Sequence, residues 1–548
     1  MEQKLDHIIG RIFSCIMIAV LGLLLLYSVI STSHVTAVDE VFYVGDHAWI
    51  HAIVILAVTA AVYFIKKKGF ILNKKIVAGV GLIAVIIIGI FIYQADIMPK
   101  YDQRRVMSIA EFVRMGIYDD YLPGGYLDVY PQQNGVVLLI EILTAIAEMK
   151  NYILFQYMNL FMMVLFVAGF ILVIKQLLPG YEYATALGVI CFLPFWGYAT
   201  QIYGNVLALA FGTWSMYFTL LYCKNKKISH AFIAGILMMF TVIMKENFLI
   251  LLIALEIIIF YYLIKEKNIK VVILAILCPV LVFSGLKVTD KIMESQTGIA
   301  LEQGVSMLSY YAMGMHEHEN RGAGWYDGYN EEAYEAGGYN TKKASEIAAE
   351  DIKNSYRNFR EHPAYLMGFY VRKIACMWNE PTCDSLAMQW GRYPRDEGKE
   401  STGFSKLIVN EGSFTRMLTQ LMNLCWTPLL FGAFIYFISC MYKDRGFETN
   451  LPALLFLGGF LFHFLIWETG SYYTFYYMIM LIPYAISGWD LFVEWLMAQD
   501  RKRLIKIFCV FAVITLFLSL PQVASFLTLN RDDARYAEYL ANLSQNIK

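Results

Sequence analysis

Charge is what this sequence has least of. Of 548 residues only 16% are Asp, Glu, Lys or Arg, against about 25% in an average soluble domain. With 58% hydrophobic residues over so long a chain, the deficit cannot be hidden inside one soluble core. An excess of either sign is also missing: the formal net charge is −1, which gives no argument for a nucleic-acid partner. A Walker loop, a dinucleotide fingerprint and a Ser-His-Asp signature are all absent, which argues against a nucleotide-driven pump. There is no internal repeat and no low-complexity tract. Cysteine outside apolar runs is scarce. Cys15, Cys191, Cys278 and Cys509 lie within such runs, where they behave as small hydrophobes. Only Cys376 and Cys383 fall in a polar external segment, and a disulfide between them stays open.

What is present is a series of apolar runs of roughly 18–25 residues, the length that crosses about 30 Å of hydrocarbon. The first begins near Arg11 and has no small-residue cleavage site, so it reads as a retained helix. Lys and Arg mark cytoplasmic loops. They cluster at Lys66-Lys67-Lys68 with Lys74-Lys75, at Lys224 with Lys226-Lys227, at Lys265, Lys267 and Lys270, at Lys443 and Arg445, and at Arg501-Lys502-Arg503 with Lys506. Placing all of these inside predicts an all-α polytopic membrane protein with about thirteen crossings. They fall near 11–30, 49–65, 76–96, 152–176, 183–199, 205–223, 229–243, 247–263, 271–288, 417–441, 450–467, 472–495 and 506–527. The N-terminus is expected inside and the C-terminus outside. The apolar stretch 134–149 would invert every later loop if it crossed, so it reads as a helix in the outer interface.

The chain then divides into an N-terminal transmembrane hairpin (1–75), a membrane core (76–288) with a first external loop (97–151), a large external loop region (289–416), C-terminal transmembrane helices (417–527) and an external tail (528–548). Within 289–416 the run Gly322-Ala323-Gly324-Trp325-Tyr326-Asp327-Gly328-Tyr329 suggests a structured loop packed on the membrane region. Trp378 reads as an interface anchor.

Chemistry-bearing residues gather on the outer side. After Pro99, Val106, Ile109, Ala110 and Val113 recur at helical spacing, predicting an amphipathic helix on the membrane with Asp102 at its head. Tyr126-Leu127-Asp128-Val129-Tyr130-Pro131 follows a Gly-Gly turn. Lys245 and Glu246 interrupt two apolar runs, and Trp467-Glu468-Thr469-Gly470 precedes a late one. An ionisable group breaking an apolar stretch is costly and is functional by default. Each also has a plain structural reading: a polar helix exit for Asp102, snorkelling for Arg104 and Arg105, a solvated helix face for Glu111, a short loop for Lys245, and an exposed helix end for Glu468. The acidic pair Asp39-Glu40 is set aside because no juxtamembrane helix follows it. His316-Glu317-His318-Glu319 can turn two imidazoles to one side of an extended segment, but no further ligand spacing supports a metal site. It reads as a solvated loop.

The order and sidedness of these elements resemble the GT-C glycosyltransferases that use polyprenyl-phosphate sugars. The lipid A aminoarabinose transferases, the protein O-mannosyltransferases and related family-39-like enzymes are the nearest in pattern. Asp102-Gln103 matches the acidic element that such enzymes carry outside a transmembrane helix, although Gln103 stands where Glu is usual. Tyr126 to Pro131 matches the second juxtamembrane element, although Val129-Tyr130 stand where a basic residue is expected. The resemblance covers roughly residues 76–527.

It implies Asp102 as the catalytic base, Lys245, Arg105 and Arg104 at the donor phosphate, and Gln103, Asp128, Tyr130 and Glu468 near the substrates. It further implies a polyprenyl-phosphate-linked sugar as donor and a glycan, lipid or protein as acceptor, at the extracytoplasmic face of a cell membrane. No cofactor is required by the sequence, and a divalent metal stays open. A flippase or transporter of lipid-linked glycans, or a polymerase or ligase, is the competing expectation. A transporter would place polar or broken helices at the bilayer midplane, where Glu256 is the main polar residue.

Overall fold

Apolar runs of this length become helices because only a helix satisfies every backbone N–H and C=O within one segment when no water is near. The computed structural model describes residues 2–36, 39–147, 151–301, 303–386, 413–443, 445–520 and 532–546. Ten of its helical stretches are long and apolar enough to cross a membrane, and a pair bent by 60°, Glu182–Cys191 with Leu193–Thr200, makes an eleventh if taken as one span. By length and composition the chain is therefore a polytopic helical membrane protein.

The two remaining expected crossings are helices of a different character. Ile228–Met244 has 17 residues. Arg501–Leu518 opens on four basic residues within its first six positions and buries no side chain. The expected crossing at 506–527 runs on into residues outside those described. The bend in the eleventh has a local cause: Pro194 follows the break, and proline both lacks an N–H and disfavours a helical residue before it.

In chain order the first part comprises α1 (Glu2–Ile30), β1 (Ser31–Val35), β2 (Val41–Gly45), α2 (Ala48–Lys67), α3 (Lys74–Ala95), α4 (Tyr101–Arg114), α5 (Tyr126–Val129) and α6 (Asn134–Ala147). The middle comprises α7 (Asn151–Leu177), α8 (Glu182–Cys191), α9 (Leu193–Gly197), α10 (Asn205–Asn225), α11 (Ile228–Met244), α12 (Leu249–Glu266) and α13 (Val272–Thr297). The segment 289–416, expected from sequence to be external, contributes α14 (Met307–Met313), α15 (Tyr329–Ala336), α16 (Thr341–Glu361) and α17 (Pro363–Trp378). The last part comprises α18 (Ser413–Cys440), α19 (Leu451–Leu465), α20 (Thr474–Met478), α21 (Ile482–Met497), α22 (Arg501–Leu518) and α23 (Asp533–Asn546).

Three departures from the sequence expectation matter. An antiparallel hairpin, β1 with β2, stands between α1 and α2, so the fold is not purely helical. The N-terminal hairpin is no appendage: α1 packs mainly along α18, with Ser28 Oγ 3.2 Å from Thr427 Oγ1. Trp378 is 1% exposed among Phe456, Phe460 and Tyr477, so it anchors helix to helix and not chain to interface. Cys376 and Cys383 are both free thiols.

Close helix approach follows from small residues, as it must where lipid supplies no hydrophobic drive for association. A Cβ at Gly488 would lie 1.8 Å from the carbonyl oxygen of Gly432, so α18 and α21 meet backbone to backbone. The amphipathic α4 forms as expected, burying Gln103, Val106, Ile109, Ala110 and Val113 chiefly against α6. In turn, α6 fits against the end of α11, where a Cβ at Gly135 would meet the Ile243 carbonyl at 2.3 Å.

Candidate functional site

Three ionisable residues far apart in sequence converge. Asp102 comes from the first turn of α4. The chain reaches it from α3 through Asp96 and Tyr101, which both take left-handed backbone conformations, at φ 45° and 47°. Such a conformation costs a non-glycine residue roughly 1–2 kcal/mol and persists only where the surroundings enforce it. Asp102 is accessible by surface area, yet protein surrounds it on most sides, as in the wall of a recess. That enclosure pushes its carboxyl above the usual range, opposed by the nearby Lys245 ammonium and by a hydrogen bond from Tyr126, and reinforced by Glu331.

Lys245 stands at the break between α11 and α12. Its extended backbone (φ −154°, ψ 106°) caps α11, and its side chain is 8% exposed. The ammonium lies over the Tyr203 ring at 4.6 Å and the Tyr473 ring at 5.6 Å. Burial lowers it to about 8, while Asp102, Glu468 and Glu246 act to raise it. Cation–π contact of this kind keeps a buried cation solvated without neutralising it.

Glu468 lies in the turn between α19 and α20 and is 5% exposed. Tyr473 donates to its Oε1 at 2.7 Å, whereas Oε2 is buried without a hydrogen-bond partner among the described residues. Burial pushes the carboxyl up to about 7; Tyr473 and Lys245 pull it down, and Asp102 and Asp327 push it up. A carboxyl half-protonated near neutrality beside a lysine with a depressed pKa is the environment expected of an acid–base site.

The segment between α13 and α18 packs against this triad. Tyr310 of α14 stacks on Trp467 at 4.2 Å. Thr469 N donates to Gly324 O at 2.8 Å. Lys373 of α17 donates to the Trp467 carbonyl at 3.0 Å and to that of Gly314, and burial lowers it to about 7. The expected docking of the 322–329 loop on the membrane region is thus made through backbone bonds to the Glu468 turn.

Of the other residues singled out from sequence, Tyr130 belongs beside the site. Its hydroxyl donates to Glu331 and accepts from Asn330 at 3.2 Å, and its ring lies 5.2 Å from that of Tyr126. Three are engaged elsewhere and a fourth faces away. Gln103 is buried and accepts from the Ile202 N–H at 2.8 Å, holding the loop that carries Tyr203. Asp128 accepts from Gly124 N at 2.8 Å and from Tyr334, so it ties down its own turn. Arg105 pairs with Asp120. Arg104 is exposed and lies about 200° round α4 from Asp102, at about 100° per residue, on the side away from the buried face.

Sequence reasoning did not single out Tyr203, Tyr310, Tyr326, Glu331, Lys373 or Tyr473. Tyr473, next to the Glu468 motif, and Tyr326, within the 322–329 run, carried a signal of position; the rest are brought in by tertiary packing.

Compared with known proteins, the sequence matches no family model and no curated protein. The chemistry of the site must therefore be argued from its own groups. It offers the accessible carboxylate of Asp102, the buried carboxyl of Glu468, the buried cations of Lys245 and Lys373 and a set of tyrosine hydroxyls, at the junctions of a helical bundle.

Proposed function

We propose that this protein is a membrane glycosyltransferase that moves a sugar from a polyprenyl-phosphate donor to an extracytoplasmic acceptor with inversion. The observation that carries the reading is the convergence of Asp102, Lys245 and Glu468 from three separate inter-helix junctions. Asp102 takes the proton of an acceptor hydroxyl as its oxygen bonds to the anomeric carbon. The bond from that carbon to the phosphate oxygen breaks, and the departing phosphate keeps the electron pair. Lys245 stabilises the charge that develops there. Glu468 and the Tyr203 and Tyr473 rings hold Lys245 in place.

A groove of about 630 Å³ supports a lipid-linked donor. Leu138, Val288 and Ile292 line it with Lys287 and Lys291, between α6 and the outer half of α13. Asp290 in the same stretch of α13 interacts electrostatically with Glu246, next to Lys245 in sequence. Apolar walls with lysines suit an isoprenoid bearing a phosphate.

A second reading, transport of a lipid-linked glycan, is favoured by one feature. Glu256 lies inside the span Glu246–Glu266 with a buried Oε1 that lacks a hydrogen-bond partner among the described residues. The test reconstitutes purified protein with a panel of radiolabelled undecaprenyl-phosphate sugars and a cell-envelope extract as the source of acceptor, and follows release of undecaprenyl phosphate. Asp102-dependent release supports transfer. Translocation of the labelled lipid without release supports the transporter.

A further inference from the structure

His316-Glu317-His318 follows α14 in a stretch without regular secondary structure, and its alternate side chains meet different partners. Glu317 turns to one side and meets Arg372, with Oε2 accepting from a guanidinium nitrogen at 2.8 Å. His316 and His318 turn to the other and meet a residue the sequence did not pair with them. Asp327 Oδ2 lies 2.9 Å from His316 Nδ1 and 2.7 Å from His318 Nε2. All three donor atoms lie within 4.8 Å of one another.

We propose that His316 Nδ1, His318 Nε2 and Asp327 Oδ2 form a binding site for a Zn²⁺-class divalent ion, with a coordination position left open. Ligands held at about 2.0–2.1 Å in a tetrahedron stand about 3.3 Å apart, so the two Asp327–His separations need open by only a few tenths of an ångström. Two imidazoles with one carboxylate select a borderline transition ion over Ca²⁺ or Mg²⁺, which prefer all-oxygen shells. The carboxylate is already oriented: its other oxygen accepts from the Tyr329 N–H at 2.9 Å. The His316 ring is set edge-on to the Tyr329 ring at 4.8 Å. Such outer contacts fix ligand geometry before the ion arrives. Asp327 is 10% exposed and His318 54% exposed, so the ion would enter from solvent and keep a water or a ligand oxygen.

The place of the cluster gives it a role. Gly324 N donates to His316 O at 2.7 Å, and Gly324 O accepts from Thr469 N. An ion here would lock the 316–327 loop, and through it the cover over the Glu468 turn. This inference holds whatever reaction the neighbouring site performs.

The experiment uses full-length protein purified through a histidine-free tag, stripped with EDTA and titrated with Zn²⁺ alone. The expected result is about one ion per chain, not displaced by excess Ca²⁺ or Mg²⁺. Co²⁺ in its place should give a tetrahedral absorption spectrum without a thiolate charge-transfer band, which excludes the nine cysteines. Asp327→Asn and His318→Gln should each weaken binding at least tenfold. His318 is half-exposed, so its replacement leaves the fold intact, and a monodisperse elution profile checks this. Failure of the wild-type chain to retain Zn²⁺ would leave the cluster a hydrogen-bonded His–Asp–His array and overturn the proposal. Binding unchanged in both variants would overturn it equally.

Discussion

Asp102 and Glu468 share one functional group, and their surroundings separate their work. Asp102 is reachable from outside and hydrogen-bonded to Tyr126, which suits a base that must meet an acceptor. Glu468 is sealed in, with one oxygen on Tyr473, which suits a group that acts on Lys245. Asp102→Asn keeps the size of the side chain and removes the basic carboxylate. Turnover should then fall by at least about 10²-fold, while binding of the lipid donor changes little, because a carboxylate does not attract a phosphate. Near-normal turnover in the purified variant would remove Asp102 from the role of base.

Lys245 gives a pH test. Its value lies near 8, below the usual 10.5, so the cation is present below about pH 8 and lost as pH rises through it. Donor-dependent kcat/KM should therefore decline above about pH 8. In Lys245→Arg the decline should disappear, since a guanidinium stays charged. Persistence of the same alkaline limb in that variant would show that another group titrates there. Sequence alone could mark Lys245 as costly and hence interesting. It could not show that Arg104 faces away from the site or that Arg105 is spent on Asp120, because both are matters of helix phase and distant partners.

At the scale of elements, the junctions do the positioning. The loop before α10 carries Tyr203 under Lys245, and Gly204 lets it press on the end of α11. A Cβ at Gly204 would lie 1.7 Å from the Met244 carbonyl oxygen, with ordinary φ of −70°, so space and not backbone strain demands glycine. Gly204→Ala should displace the Lys245 break, destabilise the fold by about 1–3 kcal/mol and lower activity more than Asp128→Asn, which loosens only its own turn. Thermal unfolding in detergent together with turnover checks both halves, and an unperturbed Gly204→Ala protein would refute the packing argument.

The apolar runs were legible because span length and helix geometry are linked directly. The amphipathic α4 was legible from its period. The β1–β2 hairpin and the helices α14 to α17 were not, because in short polar segments propensity is weak and tertiary contacts decide. The convergence of His316 and His318 on Asp327 was hidden for the same reason: eight intervening residues had to fold back.

At the scale of the molecule, the proposed extracytoplasmic transfer depends on one side of the membrane being the outside, and α6 bears on whether the assignment is consistent. If 134–149 crossed, every later lysine cluster would change sides. Its contacts argue that it does not. Asn134 Nδ2 donates to Asp290 Oδ1 at 3.2 Å, and Gln296 Nε2 donates to Glu141 Oε1 at 2.8 Å. Moving along α6 therefore moves along α13 in the same direction, by about 9 Å over six residues at 1.5 Å each, towards the end that leads into the external segment. That direction is the same whether or not α6 crosses, but α3 ends where α7 begins, with Tyr152 donating to Asp96 Oδ1 at 2.6 Å, so the chain between them, α6 included, leaves and returns at one end of the bundle. Lys227 should then face the cytoplasm, whereas Met115 and Glu332 should face outward. Single cysteines at these three exposed positions, in a background lacking the native thiols, should react with an impermeant maleimide in intact cells at 115 and 332 only. Position 227 should react after permeabilisation. Labelling of position 227 in intact cells would turn the molecule over, placing Asp102, Lys245 and the His–Asp–His cluster inside and withdrawing the extracytoplasmic transfer reaction with them.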